Sequence, residues 1–230
     1  MKQTNRKTMW AAVCFLAAFG VWTVLVCLVD VREIGPGGSA VGLAALNGYV
    51  HILTGVHMPL YVLTDWLGLV PIGTAAGFAL LGIVQWIRRK RLWAVDRSIL
   101  VLGGFYTIVL AAYAFFEICP VNYRPVRIDG HLEASYPSST TLLVLCVMPT
   151  AVMQLRSRLP RRFGRCAAIV LYAFTVFMTV GRLFSGVHWV SDIIGGILLS
   201  GALVSLYAFL CREADTKIRA AHCIDTASKM

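Results

Sequence analysis

Charge is scarce in this chain: of 230 residues only 14% are Asp, Glu, Lys or Arg, and only 11 are acidic. A soluble domain usually carries about a quarter of its residues charged, so a water-soluble globular protein is excluded. Paired cysteines are lacking too. Cys14, Cys27, Cys119, Cys146, Cys166, Cys211 and Cys223 are scattered and form no Cys-x-x-Cys pair, which argues against a disulfide framework and against a thiolate metal centre. Histidines number five. His51 and His57 have no carboxylate or second ligand beside them at metal-binding spacing, so both read as interfacial residues, and neither metal nor cofactor is expected. No internal repeat or low-complexity segment is evident.

What is abundant is apolar surface. The chain is 58% hydrophobic with a mean hydropathy of +0.74. Six stretches approach the roughly 20 residues needed to cross a hydrocarbon core: Met9–Val29, Leu69–Ile87, Ile99–Ile118, Ser139–Leu155, Cys166–Val180 and Ile193–Leu210. The fifth is short and is expected to continue toward Arg182. Pro149 predicts a kink in the fourth. The expected fold is all-α: one polytopic membrane bundle over residues 1–230, with about six transmembrane helices and an interfacial amphipathic helix.

The formal net charge is +10, a balance that can signal nucleic acid, but its distribution argues against that partner. Seventeen of the 21 basic residues fall in four clusters, at 2–7, 88–97, 156–165 and 212–229. With six spans all four lie on one side, which the positive-inside tendency makes cytoplasmic, together with both termini. The basic N-terminus also fits a secretion signal, but such apolar cores run to roughly 7–15 residues; an uncleaved first span is the better reading. The tail at 212–230 is polar and is expected to fray on the cytoplasmic side. Residues 30–68 form an outer interfacial segment. There Val41, Leu43, Leu46, Val50 and Leu53 share one helical side and Asn47, Gly48 and His51 lie elsewhere, which predicts a helix in the interface shaping lateral access.

The four remaining basic residues, Arg32, Arg124, Arg127 and Arg182, lie on the outer side, where topology gives no reason for them. Arg182 opens the run Arg182-x3-Gly186-x-His188-x3-Asp192. An imidazole with a carboxylate four residues on suits a histidine nucleophile: the carboxylate holds one ring N–H and leaves the other nitrogen free to attack. The arginine supplies a cationic fork for a phosphoryl group. Asn122-Tyr123-Arg124-Pro125 and Tyr136-Pro137-Ser138-Ser139-Thr140 are two further phosphate-type elements, and the six-span topology brings all three to one leaflet boundary.

These residues resemble the type 2 phosphatidic acid phosphatases, a family with signatures K-x6-R-P, P-S-G-H and S-R-x3-G-x-H-x3-D. The third matches at Arg182, Gly186, His188 and Asp192, with Gly181 in place of serine. The second matches at Pro137 and Ser138, but Ser139 replaces the glycine and Thr140 the histidine. The first matches at Arg124-Pro125, with Glu117 at the lysine position. The resemblance spans Ile99–Leu210 and implies a mechanism. His188 would form a phosphohistidine and Asp192 would orient it, while Arg124, Arg182, Ser138, Ser139, Thr140 and Gly186 would surround the phosphate. Amide N–H groups at the start of the sixth span would add an anion site.

The departures carry consequences. In the family the second-motif histidine protonates the leaving group, an effect worth roughly 10²–10⁴-fold, so Thr140 is expected to weaken turnover of alkyl monoesters. His131 or Glu133 could donate the proton instead. Alternatively the substrate is a diphosphate, whose leaving phosphate has a second pKa of roughly 6 and needs little help. Glu117 is expected to point away, pair with Arg127, or stay protonated. The expected function is hydrolysis of a lipid phosphate, polyprenyl diphosphate or phosphatidate-type, at the outer face of the cell membrane. The alternatives are a non-catalytic lipid-phosphate binder or transporter, and a phosphotransferase.

Overall fold

The computed structural model describes residues 2–227. Eight α-helices account for the apolar runs: α1 (Lys2–Leu28), α2 (Ala44–Thr54), α3 (Met58–Leu67), α4 (Leu69–Arg89), α5 (Arg97–Ile118), α6 (Ser139–Arg158), α7 (Arg161–Phe184) and α8 (Val190–Ala227). Six helical stretches are long and apolar enough to span a membrane, with α3 and α4 together making the second, Met58–Arg89. Helices are what such sequences must form, because lipid offers no partner for backbone N–H and C=O groups. The protein is a multi-pass membrane protein with the expected all-α bundle.

α6 is the central rod. It packs on α4, α5, α7 and α8, while α1 lies along α8. Val144, Val147 and Met148 of α6 close on Met178 of α7, and Leu142 and Cys146 face Leu102, Phe105, Leu199 and Tyr207. Large apolar side chains of α1, α4, α5 and α7, among them Leu16, Leu80, Leu110 and Val176, remain exposed around the outside. That is the surface a bilayer covers.

The boundaries of the elements refine this picture. The second span begins at Met58 rather than Leu69, because Gly68 keeps helical angles (φ −59°, ψ −19°) and joins α3 to α4. Residues 58–67 therefore leave the outer segment and pack against α7. The interfacial helix forms as α2, with Leu46 and Leu53 exposed on one side and Asn47 fully buried on another. α6 is one helix with Pro149 inside it, and the Thr150 hydroxyl bonds the Cys146 and Val147 carbonyls. α8 continues past Leu210, the expected end of the sixth span, to Ala227; residues 228–230 lie outside the described residues.

Side-chain contacts place the basic clusters at one end of the bundle. Arg212 donates to the Thr8 hydroxyl at 2.6 Å, and Arg89 and Arg158 both reach Asp96. The starts of α6 and α8 and the ends of α5 and α7 meet at the other end.

Candidate active site

Between α5 and α6 the chain makes a hairpin. Asp129 and Gly130 both have positive φ (48° and 81°) between the paired residues Ile128 and His131, the two-residue turn that Asp-Gly favours. At its base Arg124 N–H donates to the Glu133 carbonyl and Ser135 N–H to the Asn122 carbonyl. Local turn chemistry thus brings Arg124, Ser135 and Ser138 against the α7–α8 connection, which carries His188.

His188 is almost completely buried. Its Nδ1 lies 3.1 Å from the Ser135 hydroxyl, and that hydroxyl donates to Asp192 Oδ2. Nδ1 and the carboxylate themselves are 3.9 Å apart, too far for a hydrogen bond. Ser135 is therefore a relay: ring N–H to hydroxyl oxygen, hydroxyl hydrogen to carboxylate. On the other side, Arg182 Nη2 stands 3.2 Å from His188 Nε2. A guanidinium can only donate, so Nε2 must offer its lone pair. Both contacts select one tautomer, with the proton on Nδ1 and the lone pair on Nε2. Burial, then the charges of Arg182 and Arg124, push the imidazole pKa well below 6.5, so the ring is held neutral.

Asp192 is anchored by Trp189 N–H at 2.9 Å and by Ser191 and Asn122 at 3.3 and 3.4 Å. Asn47 bonds Ser191 at both its hydroxyl and its backbone N–H. The expected anion site at the start of α8 is thereby corrected: Trp189 N–H goes to Asp192 and Ser191 N–H to Asn47. The free helix start is that of α6. Ser138 is its N-cap residue but makes no capping bond, and its buried Oγ has no partner.

Arg124 and Arg182 are both buried, and the Tyr61 ring lies over both guanidinium groups at 5.8 and 5.0 Å. Each pairs with a carboxylate: Glu133 lies 3.0 Å from Arg124, and Asp65 lies 3.6 Å from Arg182. Nε and Nη1 of both arginines make no hydrogen bond. Two adjacent cations with unused donors, an uncapped helix start and an unpaired hydroxyl form a receptor for a tetrahedral anion.

The structure brings together His188, Asp192, Arg124, Arg182 and Ser138. Ser139 lines a small depression together with Glu117 and Ser135, and no hydrogen bond joins Thr140 to His188 or the arginines. Gly186 acts through the backbone: it has φ 70° and a Cβ there would lie 1.9 Å from the Gly55 carbonyl oxygen. It lets the α7–α8 turn meet the α2–α3 turn, where His57 N–H bonds the Ser185 carbonyl. Glu133 reaches the site through Arg124, whereas His131 stands exposed at the hairpin tip. Glu117 is exposed and forms no ion pair with Arg127. Sequence reading missed Ser135, Asn47, Tyr61 and Asp65. The Asp-Gly turn was a signal for the hairpin that delivers Ser135; nothing local marks the other three.

Residues 98–216, just over half of the 230, match the family model described as the PAP2 superfamily. The fold is similar to the crystal structure of a transmembrane PAP2 type phosphatidylglycerolphosphate phosphatase from Bacillus subtilis. The TM-score is 0.54 at 18% identity, covering 89% of this chain and 97% of that one. No curated protein matches the sequence.

Proposed function

The chain belongs to the PAP2 superfamily, and we propose that it is a lipid phosphate phosphohydrolase in which His188 attacks phosphorus. The observation that carries this reading is the tautomer lock: Ser135 and Arg182 leave Nε2 of a neutral imidazole unprotonated, beside two buried arginines with unused N–H groups. A protein that only bound phosphate would have no use for a nucleophilic nitrogen held at this position. This favours catalysis over a binding or transport role.

In this mechanism the phosphoryl oxygens lie on Arg124, Arg182 and the start of α6 with Ser138. Nε2 forms a bond to phosphorus as the bond to the leaving oxygen breaks, and the arginines stabilise the charge on the equatorial oxygens. The positive charge that develops on the ring is balanced through Ser135 by Asp192. Water then attacks the phosphohistidine and releases inorganic phosphate. The whole chain acts as one membrane unit, with the site opposite the basic clusters and thus extracytoplasmic by the positive-inside tendency. The substrate is a phosphatidate-type lipid or a polyprenyl diphosphate.

The test is inorganic phosphate release by purified protein in detergent from phosphatidate, phosphatidylglycerol phosphate and undecaprenyl diphosphate. Release that vanishes in His188→Ala is the expected result. Equal release from both proteins would overturn the assignment. Appearance of a phosphorylated acceptor instead of free phosphate would make the protein a phosphotransferase.

A further inference from the structure

A cavity of about 250 Å³ lies between α3 and the hairpin, with Met58, Trp66, Ile128 and Tyr61 among its walls, the Tyr61 ring being the one that packs on both arginines. Two carboxylates also line it, Asp65 and Asp129. They differ in position: Asp129 is in the exposed turn, whereas Asp65 stands on α3 with Oδ1 3.6 Å from Arg182 Nη1. The same guanidinium touches His188 Nε2 through its other terminal nitrogen, Nη2. The nucleophile and Asp65 therefore flank one phosphate-binding fork, with the cavity on the Asp65 side. α3 lies outside residues 98–216, so the family match says nothing about it.

Resting on the phosphohydrolase reading above, we propose that Asp65 is the general acid for the leaving group, which occupies this cavity. In-line displacement puts the departing oxygen opposite Nε2. A phosphoryl group held on the Arg182 fork, attacked from the His188 side, directs its ester oxygen toward α3 and the apolar walls. Asp65 is the carboxyl group there that touches a phosphate arginine, and more than half of its side chain is exposed, leaving it room to reach substrate.

The proton balance closes. A phosphate monoester has a second pKa of roughly 6, so it can bind as the monoanion. Its proton passes to Asp65 as Arg182 turns from that carboxylate to the phosphoryl oxygens. The Nε2–P bond forms, the P–O ester bond breaks, and the Asp65 proton moves to the leaving oxygen to give a neutral alcohol. The Asp65 carboxylate then takes a proton from the water that attacks the phosphohistidine, and inorganic phosphate departs. Asp65 thus performs at this site the task for which Thr140 has no titratable group.

The experiment compares Asp65→Asn and Asp65→Glu with wild type on two substrates in detergent micelles. Phosphatidate must expel an alkoxide, which needs a proton, while 4-nitrophenyl phosphate expels a nitrophenolate, which does not. Asp65→Asn is expected to lower kcat on phosphatidate by about 10²–10⁴-fold and on the aryl ester by less than tenfold, with Asp65→Glu in between. Equal loss on both substrates would mean that Asp65 merely positions Arg182, and unchanged turnover would mean that it has no part; either overturns the proposal. His188→Ala separates the two claims. If it abolishes release from both substrates while Asp65→Asn shows no split, the phosphohydrolase stands and the acid assignment falls.

Discussion

Ser135→Ala probes the relay directly. The hydroxyl accepts from His188 Nδ1 at 3.1 Å and donates to Asp192; the direct Nδ1 to carboxylate distance of 3.9 Å cannot replace it without movement. Deleting Oγ leaves a buried N–H unpaired, a penalty of about 1–3 kcal/mol. The ring escapes that penalty by moving its proton to Nε2, but this removes the attacking lone pair and faces an N–H toward Arg182 Nη2. At about 1.4 kcal/mol per factor of ten, the preference for the reactive tautomer falls by about 5- to 150-fold, and kcat should fall with it. KM should change little, since Ser135 is not among the anion donors. The assay is phosphate release at saturating substrate, with thermal melting as the folding control. The decisive form is a double-mutant cycle with Asp192→Asn. Because Ser135 acts through Asp192, its removal should add little once the carboxylate is gone. An unchanged kcat in Ser135→Ala, or losses that simply add, would refute the relay.

Two further outcomes follow from the same geometry. His188 must be neutral to attack, and its pKa is pushed well below 6.5 by burial, Arg182 and Arg124 in that order. Activity should therefore persist as pH falls past 6.5 and be lost only lower, through the depressed pKa. Arg124→Gln removes one of the two cations and should move the acid limb of kcat/KM upward; an unmoved limb would remove Arg124 from the electrostatics of His188. Gly181, which stands where the family has serine, is closed against α3: a Cβ would lie 2.9 Å from Thr64 Cγ2. Gly181→Ser should destabilise by about 1–3 kcal/mol as overpacking, and Thr64→Ala should recover most of that, both read as melting temperature in detergent.

The serine-to-glycine departure shows why a motif is not a site. Read alone, Gly181 is an imperfect match; in the fold it is the space into which α3 packs. Gly186 is similar: its match to the motif points to phosphate, and in the fold it is a left-handed turn pressed against the backbone at Gly55. Thr140 shows no contact with the site, and the carboxylates at the arginines come from α3 and the hairpin.

Sequence alone determined the bundle, because long apolar runs in lipid have one way to satisfy their backbone, and basic clusters mark one end of it. It also pointed to His188, Asp192, Arg124, Arg182 and Ser138, since a histidine, a carboxylate four residues on and two arginines lie in short motifs at fixed spacing. Tertiary structure decided the rest. The four-residue spacing predicts a direct contact between His188 and Asp192, but the helix start sets them too far apart, and Ser135 from another loop fills the gap. Asn47, Tyr61 and Asp65 lie in stretches that read locally as interfacial or membrane helix. They meet the site only where α2 and α3 fold back on α7 and α8, because a polar side chain takes its meaning from partners distant in the chain.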